Sequence, residues 1–249
     1  MNIYLKNVSK IEFVLTNACT GRCRHCSAGD SPAAAEYMDP YVAANAVRAI
    51  AKDYDVKTVM TFGGEPLLNR DAVYAIISTA TELGIPHRQL ITNGYFSNDK
   101  EFISDVAKKL ALSGINDLLL SVDAFHQETI PLDTVKAFAE AVRDNGIPIR
   151  LSPAWLVSRE HNNPYNIQTR KILDAFIDMN IPVGNGNIVF PEGNALKYLS
   201  EYFLDGAPEN PYVEDPYNIR CISFSADGDV LGGNIKRQSI KEILESYAP

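Results

Sequence analysis

The 249-residue chain holds four cysteines and a single tryptophan. Four thiols are too few for a disulfide-built scaffold, and three of them crowd into eight positions, Cys19, Cys23 and Cys26, which no pairing scheme explains. Positive charge is also short: 23 Lys and Arg stand against 31 Asp and Glu, a net charge of −8. That balance argues against a broad phosphate-binding surface and hence against nucleic acid as partner. The adjacent Lys108 and Lys109 lie in a helix-like segment and read as part of a solvated face. No apolar run is long enough to span a bilayer, and the opening MNIYLKNVSKIEF lacks the apolar core and cleavage site of a signal peptide, so a cytoplasmic location with no membrane contact is expected. What is present is ordinary for a folded enzyme-sized protein: 46% hydrophobic, 22% charged and 9% aromatic residues.

The chain alternates strand and helix signals. Strands are predicted at Ile11 to Thr16, Val56 to Phe62, Arg88 to Thr92, Asp117 to Val122, Pro148 to Ser152 and Val183 to Val189. Helices are predicted over Pro40 to Tyr54 behind an Asp39 cap, Asp71 to Leu83, Asp99 to Leu112, Leu132 to Asn145 and Ile167 to Met179. This rhythm predicts an α/β fold of parallel strands, a partial (βα)6 TIM-like barrel, with notable residues at the C-terminal strand ends where such barrels build sites. From Ala195 the pattern changes. Prolines 208, 211 and 216 mark a loop, CISFSADGDVLGGN reads as a hairpin about Asp227-Gly228, and a last helix runs from about Ser239 to Tyr247. Two parts are expected: a core over 1–194 and a small C-terminal α/β appendage over 195–249.

Clustered thiolates bind soft or borderline metals, so Cys19, Cys23 and Cys26 are zinc ligands, iron–sulfur ligands or unconnected thiols. A structural zinc would need a fourth ligand, which His25 or Cys221 could supply, but zinc sites usually pair cysteines as CxxC. Three ligands on a four-iron cube leave one iron open, as catalytic metal sites require.

The run Cys19-Thr-Gly-Arg-Cys23-Arg-His-Cys26, followed by Gly63-Gly64-Glu65-Pro66 at the end of the next strand, resembles the radical S-adenosylmethionine (SAM) superfamily. The resemblance extends from about Ile11 to Val189. It implies a [4Fe-4S] cluster on the three cysteines, SAM bound to the open iron, and an electron donor of flavodoxin or ferredoxin type. Reductive cleavage of SAM would then give a 5′-deoxyadenosyl radical that abstracts hydrogen from substrate, an oxidoreductase chemistry in which the protein positions its cofactors. One position departs: an aromatic residue usual before the last cysteine is His25 here, an imidazole that can still stack on adenine, face solvent, or donate to the cluster.

The same resemblance assigns Gly63, Gly64, Glu65 and Pro66 to the methionyl ammonium of SAM, against a plain strand-to-helix turn. Ser121 and Asp123 share a strand face and would reach the SAM ribose or carboxylate, against Asp123 as a helix cap. Asn93 is a further SAM contact or a turn-forming Asn-Gly. Arg150 would offer its fork to the SAM carboxylate or pair outside the barrel. Ile188, with Val189, would line the adenine or belong to the core. His126, Tyr95 and Trp155 are weaker substrate-side candidates.

The tail resembles the SPASM/twitch-like extension of radical SAM peptide and protein maturases, degenerate because Cys221 lacks the cysteines that would complete an auxiliary cluster. One cluster is therefore expected, with Cys221 a buried structural thiol or else a catalytic one. Modification of a peptide, as in ribosomally made and post-translationally modified peptides (RiPPs), is the expected activity. The alternatives are a small-molecule radical SAM enzyme and a non-catalytic, zinc-stabilised binding module.

Overall fold

A computed structural model describes residues 2–204 and 206–249. In chain order the elements are β1 (Lys10–Val14), α1 (Pro40–Asp53), β2 (Thr58–Phe62), α2 (Arg70–Glu82), β3 (His87–Thr92), α3 (Lys100–Ser113), β4 (Asp117–Leu120), α4 (Ala124–Gln127), α5 (Leu132–Asp144), β5 (Ile149–Leu151), β6 (Ala154–Trp155), α6 (Pro164–Asp174), β7 (Asn187–Ile188), α7 (Gly193–Tyr198), β8 (Cys221–Phe224), β9 (Asp229–Val230), β10 (Gly233–Asn234) and α8 (Ile240–Ser246). Local chemistry sets many of the boundaries. Asp39 caps α1 by accepting from Val42 N at 2.8 Å, with Pro40 at the first helical position. Asp99 caps α3, and Gly114 ends it in the left-handed region at φ 90°. A reciprocal Ser239–Glu242 box opens α8.

The main sheet has six strands, all parallel, in the order β5-β4-β3-β2-β1-β8. Strand alternation gives it two chemically distinct faces. Ile11, Phe13, Val59, Leu90, Leu118 and Leu120 are fully buried against the helices. The alternate residues Lys10, Glu12, Met60, Gln89 and Asp117 are half-buried on the helix-free face. Lys10 meets Glu12 at 2.7 Å, and Asp117 holds Gln89 at 2.6 Å and Arg150 at 2.9 Å.

The α/β reading with a partial TIM-like barrel therefore stands, as an open sheet among the described residues, but its sixth strand comes from elsewhere in the chain. The segment 183–189 contributes one bridge, Val183 to Leu151, and the two-residue β7, which pairs with β6 in a separate ribbon. Most of it is exposed, so it has no face to bury on the sheet. The open edge of β1 is taken instead by β8, in register Lys10 to Cys221 and Phe13 to Phe224, with the two phenylalanine rings stacked at 4.5 Å. The hairpin is also displaced: β9 pairs antiparallel with β10 across Leu231-Gly232, both at positive φ, while Asp227-Gly228 turns the chain from β8 into β9.

Residues 156–161 carry no regular structure and are tied down by Asn166, which is fully buried on α6. Its Oδ1 accepts from Leu156 N at 2.9 Å, and its Nδ2 reaches Leu156 O at 3.1 Å, Ser158 O at 2.7 Å and His161 O at 2.9 Å. Asn166→Ala removes the partner of Leu156 N and Ser158 O, while Asn163 Nδ2 still reaches Leu156 O at 3.0 Å, and a loss of about 1–3 kcal/mol is expected, read as a lower urea midpoint.

Candidate metal and cofactor site

The chain leaves β1 and, after Thr16, enters the cysteine loop at the C-terminal edge of the sheet. The root of that loop is held by the segment after β2: Gly64 N donates to Thr16 O at 2.7 Å and Glu65 N to Ala18 O at 2.8 Å. Glycine is required for this approach. A Cβ on Gly63, whose φ is +145°, would stand 2.6 Å from Thr16 O, and one on Gly64 would lie 2.6 Å from the Ala18 carbonyl carbon.

Glu65 turns inward. It is fully buried and accepts from Leu67 N at 2.9 Å, Thr92 Oγ1 at 2.7 Å and Asn93 N at 2.9 Å, so its carboxylate joins the ends of β2 and β3. Pro66 follows as the first residue of a short 3-10 turn and is buried. Burial pushes Glu65 up to about 7 from an ordinary 4.5, against the pull of its three donors. The folded chain thus holds this proton more tightly than the unfolded one. Its contribution to stability is full below about 4.5 and is lost as pH rises through about 7. The melting temperature is expected to fall between those values more in the wild type than in Glu65→Gln; parallel curves would contradict the assignment.

Asn93 stands beside the first cysteine. Its Nδ2 donates to Thr20 Oγ1 at 3.2 Å and lies 3.7 Å from Cys19 Sγ, while its Oδ1 accepts from Tyr95 N at 2.8 Å. It is both the turn former and a contact of the loop. The last cysteine is held from the opposite side of the sequence: Asn194 N donates to Cys26 O at 2.8 Å, and Asn194 Nδ2 to Cys23 O at 3.3 Å and Asp30 Oδ1 at 3.0 Å. Sequence reasoning missed Asn194; an asparagine directly after Gly193 was the only signal.

Cys23 lies in a small apolar cluster with Phe125, Ala154, Leu156, Val189, Ala195 and Leu199, so the middle of the loop is packed rather than solvent-borne. Burial pushes the Cys19 thiol up to about 11 and that of Cys23 higher still; the charges of Glu65 and Cys26 raise Cys19 further, and those of Asp123, Cys19 and Cys26 raise Cys23. Three thiols gathered where thiolates repel one another are a donor set that a cationic iron–sulfur core would neutralise, and the residues fit that group.

Beside Cys23 stand His25, Asp123 and His126. Asp123 is fully buried and caps α4, accepting from Phe125 N and His126 N, from Ala154 N at 2.9 Å, and facing His126 Nδ1 at 2.9 Å from both oxygens. Burial alone would raise its pKa, but His126 and the backbone donors hold it well below the usual carboxylate range. Burial would lower His126, yet Asp123 drives it upward. Burial takes His25 down to about 4. The His25 ring lies 4.7 Å from Phe125 and 4.9 Å from His126, and its Nδ1 is buried without a hydrogen-bond partner.

The structure thus brings Cys19, Cys23, Cys26, His25, Gly63, Gly64, Asn93, Asp123 and His126 to one end of the sheet, with Ser121 buried close by at the end of β4. The carboxylates of Glu65 and Asp123 are engaged by internal donors. Arg150 does not reach the loop; it pairs with Asp117 on the helix-free face. Ile188 is half-exposed on β7, and Trp155 is buried with Nε1 donating to Asn185 O at 3.0 Å. Tyr95 carries its backbone carbonyl to Thr20 Oγ1 at 2.6 Å. Cys221 opens β8 in register with Lys10, at the strand end opposite the cysteine loop and beside Glu12, whose charge together with burial raises its thiol. It cannot complete a ligand set with the other three.

A parallel α/β sheet with three cysteines in one loop at its C-terminal edge defines a partial-barrel frame that presents a thiolate donor set for a metal centre. The profile of the Radical SAM superfamily matches residues 13–196. The chain belongs to that superfamily, and with it go a [4Fe-4S] cluster and SAM as cofactors. Among curated relatives, a "Probable GTP 3′,8-cyclase" of Saccharolobus islandicus (strain L.S.2.15 / Lassen #1) is 28% identical over 212 residues, 77% of this chain and 63% of that protein. One of Saccharolobus solfataricus is 27% identical over the same span. The chain therefore spans about 63% of the length of these relatives. In fold it is similar to Streptococcus suis SuiB bound to S-adenosylmethionine, with a TM-score of 0.63 at 14% identity over 98% of this chain and 66% of that one. It is also similar to anSMEcpe with bound AdoMet, with a TM-score of 0.61 at 15% identity over 96% and 77%. No helix among the described residues is long and apolar enough to cross a membrane.

Proposed function

We propose that Cys19, Cys23 and Cys26 hold the cluster and that the chain uses SAM to take a hydrogen atom from a peptide. The carrying observation is the clamp by which Gly64 and Glu65 fix the root of the cysteine loop. A cluster held by Cys19, Cys23 and Cys26 would, when reduced, supply the electron for cleavage of SAM and so the radical that takes hydrogen from substrate. The chain's own residues do the positioning. Gly63 and Gly64 let the end of β2 lie directly against the Thr16 and Ala18 backbone, which fixes the loop beside which the methionyl end of SAM would bind. Asn93 and Asn194 set the loop from its two sides. His25, tilted by 34° against Phe125, would offer an aromatic face to adenine.

A peptide substrate is supported by the helix-free face of the sheet. Arg150 there is already joined to Asp117 at 2.9 Å, so it is not the open cation a triphosphate needs. A neighbour of the same fold, anSMEcpe, has been solved with AdoMet and the Kp18Cys peptide. The second reading, a small-molecule substrate, draws on the relatives named as GTP 3′,8-cyclases. We assign residues 1–194 to the catalytic core and 195–249 to a degenerate SPASM/twitch-like extension whose strand β8 closes the edge of β1. With reduced, cluster-loaded protein, uncharged peptides are expected to raise 5′-deoxyadenosine release above the substrate-free rate and GTP to leave it unchanged. Stimulation by GTP alone would overturn the peptide assignment.

A further inference from the structure

Cys23 belongs to a second constellation. Its Sγ, a ring nitrogen of His25 and a ring nitrogen of His126 all lie within 4.8 Å of one another. Asp123 engages His126 at Nδ1, 2.9 Å from both carboxylate oxygens, which leaves Nε2 as the nitrogen free for another partner. This is the carboxylate–histidine arrangement that orients imidazole ligands at zinc. His25 Nδ1 is buried with no hydrogen-bond partner, a cost that a neighbouring cation would relieve.

We propose that the cluster-free chain binds one zinc-type divalent ion on Cys23, His25 and His126, a site distinct from the iron–sulfur site and exclusive of it because Cys23 serves both. One thiolate and the Asp123 carboxylate balance the two charges of the ion, as a buried site requires. The Cys23 thiol proton leaves to solvent on binding, and water takes the fourth vertex. Zinc bonds of ordinary length place tetrahedral ligand atoms about 3.5 Å apart, so the three side chains close by about 1 Å, within reach of side-chain rotation. Phe125, Ala154 and Leu156 pack around Cys23 and keep it facing the histidines.

The test uses the full chain without iron, titrated anaerobically with Zn²⁺ against a chromophoric chelator and with Co²⁺ as a visible probe. One equivalent of Zn²⁺ is expected, with Co²⁺ giving a thiolate charge-transfer band. His126→Ala, and His126→Gln should the alanine variant fail to fold, are expected to lose both. Asp123→Asn weakens binding by about 10–100-fold. Cys19→Ser leaves Zn²⁺ binding in place while abolishing iron loading, which separates this site from the cluster site whatever the enzyme's substrate. Prior Zn²⁺ should also slow iron–sulfur loading of the wild type but not of the His126 variant. Zinc binding lost in Cys19→Ser and kept in the His126 variants would place the ion on the three cysteines and overturn the proposal, as would a wild type that takes up no Zn²⁺.

Discussion

Cys23→Ala is expected to take reconstituted iron from about four per chain to background, since a cube held by three thiolates does not survive on two. The fold should outlast the cluster. Cys23 packs in a small satellite cluster away from the main core of the sheet, and truncating it to alanine removes one sulfur from that cluster, a cost of about 1 kcal/mol. Iron analysis and circular dichroism on the same preparation separate the two effects. Retention of four irons by the variant would move the cluster off this loop.

Gly64→Ala is expected to cost roughly 3 kcal/mol or more and to lower iron loading with it. The added methyl would collide with the Ala18 carbonyl, and the obstacle is backbone that cannot rotate aside. Relief requires separating the two strand ends, which breaks the bonds from Gly64 N to Thr16 O and Glu65 N to Ala18 O and moves the loop bearing Cys19. Gly84→Ala is the matched control. Gly84 also has positive φ, +69°, but its Cβ would meet open space, so only about 1 kcal/mol of backbone strain is expected. Equal losses in the two variants would mean that the close approach at Gly64 has no consequence beyond its conformation.

The elements from β1 to α5, apart from the one-turn α4, were readable because their signals are local: alternation for the strands, and a cap, proline or glycine at many of the helix boundaries. The sixth strand was not. Pairing of Cys221–Phe224 with Lys10–Phe13 joins segments at opposite ends of the chain, and neither carries a mark of the other beyond phenylalanines that stack once they meet. Val183 to Val189 alternates like a strand, yet it makes one bridge from Val183 to Leu151 and pairs as a strand over Asn187–Ile188 alone, in a separate ribbon. At the site, the cysteines and the two glycines could be read from spacing, because metal ligation and close backbone approach restrict residue type. The inward turn of Glu65 and Asp123 could not, since a carboxylate at a strand end has the same sequence whether it faces ligand or caps a helix. Asn194 was hidden for the reason that hid β8: its partners, Cys23 and Cys26, lie in another part of the chain.

The most direct test of the assignment is the electron paramagnetic resonance spectrum of anaerobically reconstituted, dithionite-reduced protein, recorded before and after adding SAM. A [4Fe-4S]⁺ signal that changes on SAM addition is expected, because an open iron on a three-cysteine cube accepts SAM as its ligand. A signal indifferent to SAM, or a protein that reconstitutes with no reducible cluster, would contradict the account.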